Sequence, residues 1–352
     1  MPVHISRVSM DSHQPKGDVM NYREYLNELA ADIASAWDLH IEYSNNELMV
    51  QASDNGEAVC YLCLDGGVDD ADQPLRRDCA CRGTDAGFVH LSCLAGYAEI
   101  KSNQARDMNQ FVNPWLDCPG CHQYYQNELR LDIASKFVLF VRRQYPSDTQ
   151  KQVESLFMKL RALIDTINRL QPVQMIEAGV TANVMLSLID RMRVAAPLPK
   201  RYSLLESFAY HTHGRIAIYE GTEESARRAV VHFETDLKNN EAIGNARGVA
   251  TAKAYIALAK SKYESGYNEE LLRASKDVYE LRIAEIGDEN EFTISAGRQY
   301  AIDLRKANRE TEARELLTKL LATSKQVLGP RHETTKEVES ALKLVTEDAN
   351  QD

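Results

Sequence analysis

The 352-residue chain is 44% hydrophobic and 26% charged, an ordinary composition for a soluble protein, and its length suggests two or three domains. A formal net charge of −11 argues against a nucleic-acid-binding chain, because phosphate contacts need clustered Lys and Arg. The N-terminus lacks the apolar stretch of a secretory signal. The most apolar short run, residues 137–141, is flanked by Lys136, Arg142 and Arg143 and is far shorter than the roughly 20 residues of a membrane span. An intracellular location, cytoplasmic or nuclear, is expected, and there paired cysteines read as metal ligands more readily than as disulfides.

In chain order, residues 1–20 show no periodicity and are expected to be disordered. Residues 21–37 place Tyr22, Tyr25, Leu26, Leu29 and Ile33 near helical spacing, which predicts an amphipathic helix. Residues 44–57 read as a polar linker, so that 1–57 form an N-terminal region ahead of a cysteine-rich module at 58–127. No cysteine follows Cys121, and helical patterns take over. Val153, Leu156, Phe157, Leu160, Leu163, Ile164, Ile167 and Leu170 form one stripe and predict a helix over 149–170. A second helix is expected after Pro172. The run Ala196, Pro197, Leu198, Pro199 is a breaker that ends a helical connector at 128–200.

Residues 201–347 contain an internal repeat. The segment Ile286, Gly287, Asp288 through Thr293 recurs 42 residues later as Leu328, Gly329, Pro330 through Thr335. Ala259 corresponds to Ala301, and the segment 266–271 to 308–313. A looser copy ends at Ile243 and Gly244. Two helices per unit at this period predict a helical solenoid. The repeat resembles the tetratricopeptide family in its 42-residue, kinesin-light-chain-like form, whose Leu-Gly-Pro-x-His-x-x-Thr connector is matched by residues 328–335. The resemblance covers about residues 203–345, as three helix pairs and a capping helix.

Within the module the cysteines fall as Cys60-x2-Cys63, Cys79-x-Cys81, His90-x2-Cys93 and Cys118-x2-Cys121. That gives eight ligands in the order four Cys, one His, three Cys, and two tetrahedral zinc ions need eight. All seven cysteines are used. The module has few large apolar residues of its own, so metal binding and folding are expected to be coupled. His122 directly follows a ligand but is surplus to the eight. The acidic run at Asp69, Asp70 and Asp72 reads as a solvated loop. His211 and His213 lie two apart on a predicted helix and point in different directions, so they are not expected to share a metal.

Two known modules share this ligand order: the PHD finger, a histone-tail reader, and the RING-CH finger of ubiquitin ligases. PHD fingers usually leave more residues between the third and fourth Cys and fewer before the His. The stretch Cys79-Ala80-Cys81, a Gly-containing turn, then Phe88-Val89-His90-Leu91-Ser92-Cys93-Leu94 resembles the RING-CH pattern, one residue longer than usual before the His. The resemblance implies a mostly α protein, with a small cross-braced two-zinc RING-like module followed by an α-helical hairpin solenoid. Cross-bracing would assign Cys60, Cys63, His90 and Cys93 to one zinc and Cys79, Cys81, Cys118 and Cys121 to the other.

The resemblance also implies a function. RING-type ligases have no catalytic nucleophile; they hold a ubiquitin-conjugating enzyme and its thioester-linked ubiquitin in a reactive geometry. The family's docking positions correspond to Leu62, Tyr97 and Pro119, with Tyr97 standing where the family has Trp. His122 stands where many active ligases have Arg or Lys. The expected partners are a ubiquitin-conjugating enzyme at the finger and a protein or peptide on the repeats. The alternatives are a non-enzymatic, zinc-stapled interaction scaffold and a PHD-like histone-tail reader. No phosphate-binding loop or nucleophile elbow occurs in the sequence.

Overall fold

The computed structural model describes residues 58–348 except 71, 80, 82–86, 166–171 and 264–268. The N-terminal 20 residues, the helix expected at 21–37 and the linker at 44–57 lie outside the described residues. The described part is mostly α, with twelve α-helices and a few isolated β-bridges in the cysteine-rich segment in place of strands.

The cysteine-rich segment carries α1 (Leu91–Asn103), α2 (Met108–Val112) and a 3-10 turn at Asn113–Trp115. The remaining helices are α3 (Asn127–Gln144), α4 (Thr149–Asp165), α5 (Pro172–Ala195), α6 (Lys200–Glu220), α7 (Glu223–Ala242), α8 (Ala246–Lys260), α9 (Glu269–Ile286), α10 (Glu291–Lys306), α11 (Glu310–Val327) and α12 (Glu333–Asp348). From α3 onwards each helix packs on the next, and α4 also meets α6 and α10 meets α12. This nearest-neighbour order is solenoid-like.

The stripe predicted on α4 faces inward: Val153, Leu156, Leu160, Leu163 and Ile164 are buried and Phe157 is half-buried. Ile167 and Leu170 lie outside the described residues. The apolar run at 137–141 belongs to α3, where Phe137, Val138, Phe140 and Val141 are buried and Leu139 faces outward. Among the described residues no helix is long and apolar enough to cross a membrane. Some positions that the sequence reading pairs are buried alike. Ala259 and Ala301 are both fully buried, and Leu271 and Ala313 occupy equivalent buried positions. Gly287 and Gly329 follow α9 and α11 at φ 82° and 96°, a left-handed turn that side-chain-bearing residues adopt at a cost.

The core of the cysteine-rich segment is shared with the helices that follow it. Leu75, Phe88, Val89, Leu94, Phe111, Val112, Trp115 and Tyr125 are buried together with Leu129, Ile133, Phe137, Phe140 and Val141 of α3 and Met158 of α4. Trp115 stacks on Phe137 at 5.0 Å and lies 5.3 Å from Phe140. Its indole N–H donates to Ser102 Oγ at 2.7 Å, and Ser102 donates to the Phe111 carbonyl. The segment borrowed half its core from helices that follow it, which composition within 58–127 could not show.

The helical series also returns to the cysteine-rich segment. Arg331, in the connector before α12, donates to the Cys81 carbonyl at 2.9 Å. The Gln126 side-chain oxygen accepts from the Glu333 N–H at 3.2 Å, satisfying a free donor in the first turn of α12. Tyr124 lies 6.1 Å from Phe292, with the Arg161 guanidinium against both rings.

Candidate metal centre

Two knuckles with the same backbone geometry frame the centre. In the first, the Leu64 N–H donates to the Cys60 carbonyl and the Cys60 N–H to the Asp65 carbonyl, each at 2.8 Å. In the second, the His122 N–H donates to the Cys118 carbonyl and the Cys118 N–H to the Gln123 carbonyl, each at 2.9 Å. Leu64 and His122, each next after the second Cys, have φ 68° and 56°. The tight turn aims both sulfurs of a Cys-x2-Cys pair to one side and requires a left-handed residue at its exit. His122 therefore has a backbone role here; its side chain is exposed and stands outside the ligand groups.

His90 is extended at the N-cap of α1, and Cys93 lies three residues on in its first turn. The two are fixed against the rest by the Arg76–Val89 bridge, with N···O distances of 2.8 and 2.9 Å, and by the Tyr61 N–H on the Phe88 carbonyl. Cys79 and Cys81 close around Gly87, at φ 84°; a Cβ there would stand 2.8 Å from Cys79 Sγ. Only glycine fits that turn, on backbone and on space alike.

The fold interleaves the pairs. Cys60, Cys63, His90 and Cys93 form one group and Cys79, Cys81, Cys118 and Cys121 the other, with the potential ligand atoms of each group within 4.8 Å of one another. Cys81 Sγ and Cys118 Sγ are 3.7 Å apart. That is far beyond a disulfide bond of about 2.05 Å. It equals the edge of a tetrahedron built on zinc–sulfur bonds of about 2.3 Å, which is about 3.8 Å. His90 Nδ1 lies 3.4 Å from Cys63 Sγ and 3.8 Å from Cys93 Sγ. The mixed edge expected for one sulfur and one nitrogen on zinc is about 3.5 Å. Nδ1 is thus the ligating nitrogen; Nε2 is buried without a partner among the described residues.

The electrostatics point the same way. A proton shared from Cys79, with the N–H groups of Cys121 and Gly120, brings Cys118 down to about 5. Cys79 is pushed up by that same bond and by burial. Burial and the nearby Cys118 sulfur push Cys81 to about 12. In the other group, burial works against Cys60, but the N–H groups of Cys63, His90 and Leu62 bring it to about 7, while burial and the Cys63 and Cys60 sulfurs push Cys93 to about 12. Without a cation the sulfurs cannot all ionise side by side. A dication removes that conflict, and the donor sets, three thiolates with one imidazole and four thiolates, are those of structural zinc. The eight side chains fit two zinc ions, with no position left open for a reacting ligand.

Of the remaining predicted positions, Leu62, Tyr97 and Pro119 are all half-buried. Leu62 leans on the core of the segment, Tyr97 sits under Lys101 at 5.7 Å on α1, and Pro119 lies within the second knuckle. Asp69 accepts from the Gln73 N–H in a tight turn, so the acidic run is a loop. His211 pairs with Asp236 at 3.1 Å and His213 stacks on His232, so the two rings serve different neighbours. Sequence reasoning missed Arg331, Gln126 and Tyr124, which tie the centre to the helical series; no local pattern marks a contact across 250 residues.

No curated protein matches this chain. Residues 60–121 match the family model of the RING-variant domain, whose ends fall on the first and last of the eight ligands. The cysteine-rich segment is a RING-variant, or RING-CH-type, zinc-binding domain.

Proposed function

We propose that the protein is a RING-type ubiquitin ligase. The observation that carries this reading is the RING-variant match over a segment whose eight ligands form two interleaved groups. Both sites are filled by protein ligands, so zinc supplies rigidity and the domain works by positioning. Leu62 and Pro119, one in each knuckle, and Tyr97 on α1 form the docking face for a ubiquitin-conjugating enzyme. Exposed Leu64 and Ile100, in the first knuckle's exit and on α1, extend the apolar character of that region. The tetratricopeptide-like helices bring a protein partner to the same body. The test is reconstitution with a panel of conjugating enzymes. Ubiquitin chains are expected with at least one, and Leu62→Ala should abolish them while two zinc ions per chain remain. Zinc-loaded protein that yields no product with any conjugating enzyme would overturn the ligase reading.

A non-enzymatic scaffold is the second reading, favoured by two observations. His122 occupies the site of the usual Arg or Lys, and the connector before α12 rests on the backbone of a zinc ligand through Arg331. A purely structural zinc domain would have both features.

A further inference from the structure

Two successive connectors of the helical series share a local design. Gly287 and Gly329 turn the chain; Asn290 Oδ1 then accepts the Phe292 N–H at 2.9 Å, and at the equivalent place His332 Nδ1 accepts the Thr334 N–H at 3.2 Å. Helices α10 and α12 are thus each capped by their own connector. The second connector makes two further bonds, and both leave the series. Arg331, where the first connector has Glu289, donates to the Cys81 carbonyl at 2.9 Å. The Glu333 N–H donates to Gln126 Oε1, 207 residues away in the sequence. Positions 331 and 333 are unspecified in the Leu-Gly-Pro-x-His-x-x-Thr pattern, so the repeat itself does not require these bonds.

Both bonds lead to one short piece of the zinc-binding domain. Gln126 is buried and donates its own N–H to the Asp78 carbonyl at 2.8 Å. The Asp78 and Cys81 carbonyls are therefore held on either side of Cys79-x-Cys81, a ligand pair of the second metal group. That pair meets Cys118 across the 3.7 Å sulfur–sulfur edge. The bonds that frame the first group, Cys60 to Asp65, Tyr61 to Phe88 and Arg76 to Val89, run within residues 60–89. At the other end of the tie, α12 packs on α10 and α11 through buried Val338, Ala341 and Val345, and its first turn is where the zinc-binding domain has a hold on it. Thiolates drawn onto one dication fix the backbone of Cys79 and Cys81 and with it the two carbonyls; four thiols without a cation are not so constrained.

We infer that the connector before α12 is a metal-dependent latch: metal at the second group fixes the backbone that Arg331 and Gln126 grip, and this holds the first turn of α12 in place. Coupling of this kind is reciprocal, so docking of α12 in turn favours metal at the second group, and a weakening at either end is felt at the other. Loss of that metal loosens the last helix and opens the stripe of Val338, Ala341 and Val345 together with the surfaces of α10 and α11 that it covers. The first group is not part of the latch.

The test begins with the full chain loaded with cobalt, whose spectrum separates a three-thiolate from a four-thiolate site, and titrated with EDTA. Arg331 is exposed, so Arg331→Ala should keep the fold. In this variant the second site is expected to yield its cobalt roughly five- to tenfold more readily, with the first site unchanged. Amide hydrogen exchange of the zinc-loaded chain reads the other direction. The first turn of α12 should exchange faster in Cys121→Ala, which disables the second group, and keep its native rate in Cys63→Ala, which disables the first. An unchanged second-site affinity in Arg331→Ala, an equal fall at both sites, unchanged α12 exchange in Cys121→Ala, or an equal rise in Cys63→Ala would each overturn the inference. No ubiquitin takes part, so failure here leaves the ligase reading standing, and failure of ligation leaves this one.

Discussion

Trp115→Ala tests whether the zinc-binding domain folds on its own or as part of the helical body. Trp115 is 1% exposed, stacked on Phe137 of α3 and hydrogen-bonded to Ser102. Truncating a buried Trp costs about 3–5 kcal/mol, set against a typical total stability of about 5–15 kcal/mol. Trp115→Phe keeps a ring against Phe137 and loses the indole donor. Ser102 retains its bond to the Phe111 carbonyl, so the expected cost is only about 1–2 kcal/mol. Because Phe137 and Phe140 belong to α3, the loss should be felt by the helices as well as by the zinc sites. Thermal melts of the zinc-loaded protein, followed by far-ultraviolet circular dichroism and by a zinc-sensitive dye, should move down together, far more for Ala than for Phe. A helical melt that stays in place while zinc is released early would refute the shared core and make the domain an independent zinc-stapled unit.

Other outcomes follow from the same geometry. Cobalt substitution should give two spectroscopic sites, one with three thiolates and one with four. Cys63→Ala should remove the first and spare the second, and loss of both would contradict the interleaved assignment. Burial, with His232 beside it, lowers His213 to about 3, and burial with Arg228 beside it lowers His232 to about 4. Both are neutral in the fold yet take up protons near pH 6.5 when unfolded, so the stability they allow is complete above that pH and is lost as pH falls toward 4. Each loses up to about 1.4 kcal/mol per pH unit in that window. The melting temperature should therefore drop between pH 7 and 5.5 more steeply in the native chain than in a His213→Gln/His232→Gln variant; equal slopes would count against it. Gly214 faces Phe233, and a Cβ there would lie 2.6 Å from the ring. Gly214→Ala should destabilise by about 1–3 kcal/mol through overpacking, less a helix-propensity gain of up to about 1 kcal/mol, and a higher melting temperature would show that Phe233 can move aside.

The sequence by itself determined the ligand set and the helical character. Ligand spacing is a local property: Cys60-x2-Cys63 and Cys118-x2-Cys121 each close within one turn, and His90 and Cys93 share the first turn of α1. The stripe on α4 and the glycine period at Gly287 and Gly329 are likewise short-range, written in 3.6-residue and 42-residue regularities. Which pairs join at each metal site was a matter of family likeness until the fold placed Gly87 between Cys79 and Cys81 and brought Cys118 against Cys81. Only the tertiary structure decided where the domain's core comes from and where the helical series ends. Phe137 and Phe140 read as part of a featureless apolar run until Trp115 lies on them. Arg331 reads as an ordinary surface charge until the solenoid-like path puts it on a ligand's carbonyl. Such contacts depend on the summed geometry of ten successive helices, a quantity that no local pattern encodes.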